Sequence, residues 1–168
     1  MNPAARDDDR PWYAKPDPTG KTKAGEQGLR FTCTQCGNCC TGAPGYVYFS
    51  DDESTAMAAD LGISRSQFDA RYTHSAPDGP SLTEHNTRFG YDCVFLDRET
   101  QPGKALCRVY RSRPAQCRTW PFWKENMRSP GHWRSASRTC PGINKGTLHC
   151  VETIRLTVER DTGASRAD

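Results

Sequence analysis

Four thiols within eight residues, Cys33-x-x-Cys36-x-x-Cys39-Cys40, are the part of this sequence best equipped for chemistry. Two residues between thiolates let a tight turn aim both sulfurs at one centre, and repeating the step supplies three ligands to a cuboidal iron–sulfur cluster. The same step opens many zinc sites, where thiolates lie about 2.3 Å from the metal. A bacterial ferredoxin run places its next cysteine three residues on, before a proline. Here Ala43-Pro44 stands at that place, so a fourth ligand comes from Cys40 or from far along the chain. Neighbouring side chains diverge, and Cys39 and Cys40 are expected to serve different metals or different edges of one polynuclear site. The distant candidates are Cys93, Cys107, Cys117 and Cys140. With the local four they make eight, enough for two four-thiolate sites or for one cluster plus one zinc. Cys150 is the ninth and reads as a buried or bystander thiol.

The rest of the composition says what those thiols must do for the fold. Only 35% of the 168 residues are hydrophobic and the mean hydropathy is −0.84, so one domain with a small apolar core is expected, held together by metal. No apolar run approaches the roughly 20 residues of a membrane span. The polar amino-terminal stretch, with Asp7, Asp8 and Asp9, lacks the apolar segment of a secretory signal. That points to the cytoplasm, where thiols stay reduced and dense cysteines read as metal ligands rather than disulfides.

Charge adds a second signal. Between Lys104 and Arg138 the chain carries nine Lys and Arg against one acid, Glu125. A four-thiolate zinc or oxidised four-iron centre carries about −2 overall, which nearby arginines would balance. Arg113 and Arg118 are the candidates to bond cluster sulfurs or a substrate anion, with carbonyls of irregular backbone as the competing partners. Nucleic-acid binding through Trp120, Trp123 and Trp133 is disfavoured by a net charge of only +3. None of His74, His85, His132 and His149 sits at a convincing ligand spacing from the first cysteines. Asp51, Asp52 and Glu53 are explained as helix caps, and no phosphate loop or serine elbow is present. Trp120, Phe122 and Trp123 are expected to cover the metal site.

Short elements must position these groups. Residues 1–28 read as a flexible arm, 29–160 as the metal-binding domain and 161–168 as a polar tail. Ser50-Asp51-Asp52-Glu53 is a capping box that opens a helix to about Asp60, and Ser64-Arg65-Ser66-Gln67 opens another to about Tyr72, with Phe68 and Tyr72 on one face. Residues 73–87 read as a long loop. Tyr91–Leu96 and Lys104–Tyr110 are predicted to form a hairpin that sets Cys93 opposite Cys107. Pro114 favours a helical turn over Arg113–Arg118. Residues 119–139 show no clear period, and from Thr147 onward a helix competes with a strand, the helix being preferred. The fold class is therefore small, loop-rich α+β, with short helices and one hairpin around a cysteine hub.

These motifs resemble one family. Cys33-Thr34-Gln35-Cys36-Gly37-Asn38-Cys39-Cys40 looks like the signature of the YkgJ-like CxxCxxCC cysteine-cluster proteins. The similarity continues through Cys93-Val94-Phe95-Leu96, Cys107-Arg108-Val109-Tyr110, Arg113-Pro114-Ala115-Gln116-Cys117-Arg118, Pro121-Phe122 and Cys140-Pro141-Gly142. The resemblance implies a soluble zinc- or iron-chelating domain, with an iron–sulfur cluster the usual suspect. A related domain in flagellin lysine N-methylases implies a link to methyl transfer in some relatives, although this chain shows no separate region for S-adenosylmethionine. The expected function is thus a cysteine-ligated centre, foremost a 4Fe-4S cluster with a redox or accessory role toward an unidentified protein partner. The alternatives are a structural zinc module for protein interactions and a methylase-related accessory domain.

Overall fold

The first two α-helices of this chain begin where a serine hydroxyl closes the first turn. The computed structural model describes residues 10–21, 23 and 25–160. Among these, Ser50 and Glu53 form a reciprocal capping box at the start of α1 (Asp51–Asp60), and Ser64 and Gln67 form one at α2 (Arg65–Tyr72), both as the sequence predicts. The fold is mixed α+β, with short helices and small two-stranded antiparallel sheets. Within the stretch expected as one domain the chain divides into two compact units, Met1–Thr34 with Pro121–Arg160, and a second holding Gln35–Trp120.

The unit containing Gln35–Trp120 is built on a modest apolar cluster of Met57, Ala58, Phe68, Leu82, Phe95 and Val109, all almost inaccessible to water. Phe68 stacks on Phe95 at 6.0 Å between ring centroids, and Tyr72 closes on Phe95 at 5.0 Å. The i, i+4 spacing of Phe68 and Tyr72 thus puts both rings on one buried face. Cys93 and Cys107 pack against this cluster. Two thiols of the expected hub therefore sit on an apolar floor.

Residues 73–87, expected as a loop, are instead strands. β2 (Thr73–Ala76) pairs with β3 (Gly79–Leu82), and β4 (Glu84–Thr87) pairs with β5 (Gly90–Cys93). The reason is turn chemistry: Pro77-Asp78 and Arg88-Phe89 make two-residue turns, and Gly79 and Gly90 supply the positive φ that closes them. Polar residues in these strands hid the pattern.

The predicted Cys93–Cys107 hairpin is also corrected. β5 is taken by β4, so Cys93 lies opposite Glu84. What remains is a two-residue ladder, β6 (Leu96–Asp97) with β7 (Leu106–Cys107), in which Cys107 faces Leu96. Asp97 ends β6 by turning its carboxylate back to accept from the backbone N–H groups of Glu99 and Thr100, at 2.8 and 3.0 Å. The expected turn at 113–118 is α3 (Ala115–Thr119), with Pro114 just before it.

The unit of Met1–Thr34 and Pro121–Arg160 centres on Trp133, which is fully buried. Phe122 stacks on it at 5.8 Å and its indole N–H donates to Asn144 Oδ1 at 2.9 Å. β1 (Leu29–Phe31) pairs with a late strand, β8 (Ile143–His149), across a bulge at Arg30/Phe31. The aperiodic stretch 119–139 contains α4 (Lys124–Met127) and α5 (Pro130–Thr139), the latter opened by Ser129 and Pro130. The helix preferred from Thr147 onward starts later, as α6 (Val151–Arg160), because Thr147–His149 belong to β8. Of the expected arm, residues 1–9, 22 and 24 lie outside the described residues, as does the expected tail 161–168. Its described part includes a 3-10 turn, Trp12–Ala14, in which Tyr13 and Ala14 are buried and Trp12 Nε1 donates to Met127 O at 2.7 Å. No helix among the described residues is long and apolar enough to cross a membrane.

Because Phe68 anchors three ring contacts in the apolar cluster, Phe68→Ala is expected to destabilise the protein by about 3–5 kcal/mol. Loss of the Ser64 cap in Ser64→Ala is expected to cost about 1 kcal/mol. Urea unfolding followed by far-ultraviolet circular dichroism checks both; equal effects would mean the cluster is not the main support of its unit.

Candidate metal centre

The signature loop is shaped by two left-handed residues, Gln35 (φ 57°) and Gly37 (φ 75°). Glycine is required at 37: a Cβ there would fall 2.5 Å from the Cβ of Ala105. The turn closes with Cys40 N donating to Gly37 O at 2.9 Å. Backbone bonds then dock the loop. Ala105 N donates to Gln35 O at 2.9 Å, Cys93 N to Cys40 O at 2.8 Å, and Tyr91 N to Gly42 O at 2.9 Å. The loop is thereby fastened to β5 on one side and to the approach to β7 on the other.

This docking gathers four thiols into one electrostatic neighbourhood: Cys39, Cys93, Cys107 and Cys117. Burial pushes the Cys117 thiol up, and charge at Cys93, Cys39 or Cys107 pushes it further. Cys93 is pushed up to about 12, chiefly by burial, with Cys107 and Cys39 adding to it. Burial also raises Cys107, and Cys39 adds to that. For Cys39 the first cause is its contact with Cys40, whose Sγ lies 3.7 Å away, followed by burial. The Arg113 guanidinium opposes the shift at Cys39, Cys107 and Cys117. These four come from the loop, the end of β5, β7 and α3.

Cys36 and Cys40 look toward a different arginine. Arg98 is held by Asp92 through two bonds, Nε–Oδ2 at 2.8 Å and Nη2–Oδ1 at 3.1 Å, and its charge is further stabilised by Cys40 and Cys36. Asp92 is correspondingly held below the usual carboxylate range, first by Arg98. Arg98 thus bears on Cys40 and Arg113 on Cys39, but the two sulfurs lie only 3.7 Å apart, so the divergence expected of these adjacent side chains is not seen.

Cys33 and Cys140 belong to the other unit. There Thr32 N donates to Gly142 O at 3.3 Å, so the chain leaving β1 toward Cys33 runs beside the turn that follows Cys140. Cys140 ends α5 and is buried, whereas Cys33 is exposed. Cys150, expected as a buried or bystander thiol, is exposed. Its Sγ lies 3.2 Å from Thr153 Oγ1, a contact that lowers the thiol's pKa. His149 uses its Nε2 on Phe31 O at 3.1 Å and packs on Phe122. Phe122 is buried in that same unit, while Trp120 and Trp123 are half-buried.

The segment bearing Cys117 is held by residues that sequence reasoning did not connect to it. Glu53 Oε2 completes the capping box of α1, while Oε1 accepts from Ala115 N at 2.6 Å and Arg118 Nη2 at 3.1 Å. One carboxylate therefore closes one helix and pins the next. Gln116 brackets the strand-like segment after the signature loop, donating to Tyr46 O at 3.0 Å and accepting from Tyr48 N at 2.9 Å. Ser112 donates to Asp60 Oδ2 at 2.9 Å. Only the Ser50–Glu53 spacing signalled any of this, and it signalled a cap alone. Of the two candidate arginines, Arg118 spends its guanidinium on Glu53 and on Arg113 O. Arg113 lies over the Tyr110 ring at 3.8 Å.

No three Cys, His, Asp or Glu side chains among the described residues stand at the spacing of ligands to a single ion. The thiols of Cys39, Cys93, Cys107 and Cys117 influence one another electrostatically. The donor set fits zinc or iron: all-sulfur, partly shielded from water, and mutually repulsive as thiolates until a cation neutralises them. Since Glu53 fixes the segment carrying Cys117, Glu53→Ala is expected to destabilise the protein by about 1–3 kcal/mol, the cost of orphaning hydrogen-bond partners. Metal retained after gel filtration should fall with it, whereas Glu53→Gln keeps an acceptor and loses less. Unchanged unfolding and metal content in Glu53→Ala would exclude this brace.

No solved structure matches the chain. Comparison with protein families matches residues 32–150, from the residue before the first signature cysteine to the ninth thiol, to CxxCxxCC, described as a putative zinc- or iron-chelating domain. With most of its length covered by that match, the chain belongs to the CxxCxxCC family of zinc- or iron-chelating domains.

Proposed function

We propose that this chelating domain carries a cysteine-ligated iron–sulfur cluster, of the four-iron type, and that it serves a redox or accessory role in the cytoplasm toward a protein partner. The reading is supported by the packing of Cys93 and Cys107 against one apolar cluster and by the electrostatic influence that Cys39, Cys93, Cys107 and Cys117 exert on one another, with Arg113 opposing it. Four thiolates are the complement such a cluster needs. Cys33, Cys36, Cys40 and Cys140 stay proposed as ligands on their sequence spacing, and Cys36 and Cys40 have Arg98 as their own counter-charge.

One observation favours the zinc reading, in which the domain is a structural module for protein interactions. Cys39 and Cys40 Sγ lie 3.7 Å apart, the edge of a zinc tetrahedron. Under either metal, this chain's contribution is the same: it holds the thiols, seats Cys93 and Cys107 against the Phe68–Phe95 cluster, and sets positive charge against them. A cluster would supply one-electron chemistry and zinc would supply cross-linking of the fold.

Anaerobic purification followed by absorption spectroscopy and metal analysis on one sample separates the two. Iron, acid-labile sulfide and a broad band near roughly 400 nm are expected, with the band lost in Cys107→Ser. A colourless protein containing zinc alone would replace this reading with the structural one. Proton release gives an independent check. Burial pushes the thiols of Cys93, Cys107 and Cys117 toward their neutral form, and each must lose its proton to bind metal. Loading metal in weak buffer should acidify the solution, and affinity should fall as pH is lowered; uptake that is independent of pH between about 6 and 8 would rule out these thiols as the ligands.

A further inference from the structure

Arg113 bears on three of the four thiols. Its Cζ lies 3.8 Å from the centroid of the Tyr110 ring. Its carbonyl accepts from Arg118, and the next residue, Pro114, is fully buried. Its backbone is thereby held, and its Nε–H lies in the guanidinium plane. Yet Nε is buried and has no hydrogen-bond partner among the described residues. Buried donors are rarely left unpaired, and such a group marks a place where a partner belongs. Its charge bears on the sulfurs of Cys39, Cys107 and Cys117. Asp60 is an acid that bears on Cys107, and it is engaged by Ser112.

Arg118 makes the contrast. The sequence offers the two arginines as equals, but Arg118 is bound to Glu53 and to Arg113 O. It holds the arginine whose charge bears on the thiols.

We infer that Arg113 is a positioning residue of the centre: its Nε–H donates a hydrogen bond to a metal-bound sulfur of the Cys39, Cys93, Cys107 and Cys117 set, fixing that thiolate's orientation and offsetting the centre's negative charge. This rests on the four-thiol centre proposed above, but on neither iron nor zinc in particular. Hydrogen bonds to metal-bound thiolates raise metal affinity and tune potential, and their loss typically costs 10- to 100-fold in affinity. Arg113 also differs from a bare positive charge, because a lysine supplies charge without the fixed in-plane donor.

Cobalt(II) is a suitable probe, since its thiolate charge-transfer absorption reports sulfur ligation whichever metal the protein holds in the cell. The full chain, stripped of metal anaerobically, is titrated with cobalt(II) over a range of pH. Arg113→Gln is expected to weaken cobalt binding by about tenfold or more and to move the pH of half-saturation upward. Arg113→Lys, which keeps the charge, should lose affinity by a smaller factor and move the pH of half-saturation less, and Tyr110→Phe, which preserves the ring, should match the parent. Arg113→Gln with parental affinity and pH profile overturns the inference. If that variant does not fold, Arg113→Lys decides, and parental affinity in it overturns the hydrogen bond. Cys107→Ser separates this result from failure of the centre. Undiminished charge-transfer absorption in Cys107→Ser would overturn the four-thiol centre and Arg113's role with it. Diminished absorption there, beside parental behaviour of the Arg113 variants, would overturn Arg113's role alone.

Discussion

Loop 35–42 carries three thiols and almost no apolar surface, so backbone hydrogen bonds must hold it. Its turn is possible because Gly37 takes a left-handed conformation against Ala105, where any side chain would collide. Its carbonyls at Gln35, Cys40 and Gly42 each accept from a backbone N–H between Tyr91 and Ala105. Those bonds decide which way each sulfur leaves the loop. The Cys39 and Cys40 sulfurs leave it 3.7 Å apart, with Arg113 bearing on Cys39 and Arg98 on Cys40. Remove the docking and the signature is only a run of flexible thiols.

The thiols carry a cost that the surroundings offset. Burying several ionisable sulfurs together favours their neutral form, both by desolvation and by mutual repulsion. The chain answers with an arginine on each side. Arg113 bears on Cys39, Cys107 and Cys117, and Arg98 bears on Cys36 and Cys40. Each is set by a different device: Arg98 by a two-bond pair with Asp92, Arg113 by the Tyr110 ring and by Arg118 on its carbonyl. Glu53 extends the same economy to the backbone, closing α1 with one oxygen and pinning α3 with the other. An apolar cluster around Phe68 and Phe95 underlies Cys93 and Cys107. A core therefore accompanies the cysteine hub, although the composition had suggested that metal would have to replace it.

Local grammar was legible in the sequence where a side chain bonds its own neighbourhood. The Ser50 and Ser64 capping boxes are three-residue patterns, and both helices start where those patterns place them. The hairpin over Cys93 failed for the opposite reason. Residues 91–96 alternate well enough for a strand, but alternation does not name the partner, and the Thr87–Gly90 turn gives β5 to β4 before Lys104–Tyr110 can reach it. Cys93 and Cys107 still come near one another, through packing on a shared apolar floor rather than across a ladder. Residues 73–76 and 79–82 were missed because their strands are polar, so period-two hydrophobicity is absent.

By itself, the sequence determined the chemistry available: soft sulfur donors at spacings that suit zinc or iron, a surplus of arginine beside them, and the family to which that order of cysteines belongs. Spacing suffices for this because ligand type and short-range turn geometry are local properties. Only the tertiary structure decided which thiols influence one another, that Arg118 is taken up by Glu53 and the Arg113 carbonyl while Arg113 lies by the Tyr110 ring, and that Glu53 is more than a cap. Each of those depends on contacts across tens of residues, as between Glu53 and Ala115 or Cys39 and Cys117. Such contacts are set by how hairpins and helices pack, and packing is a property of the whole unit that no local pattern encodes.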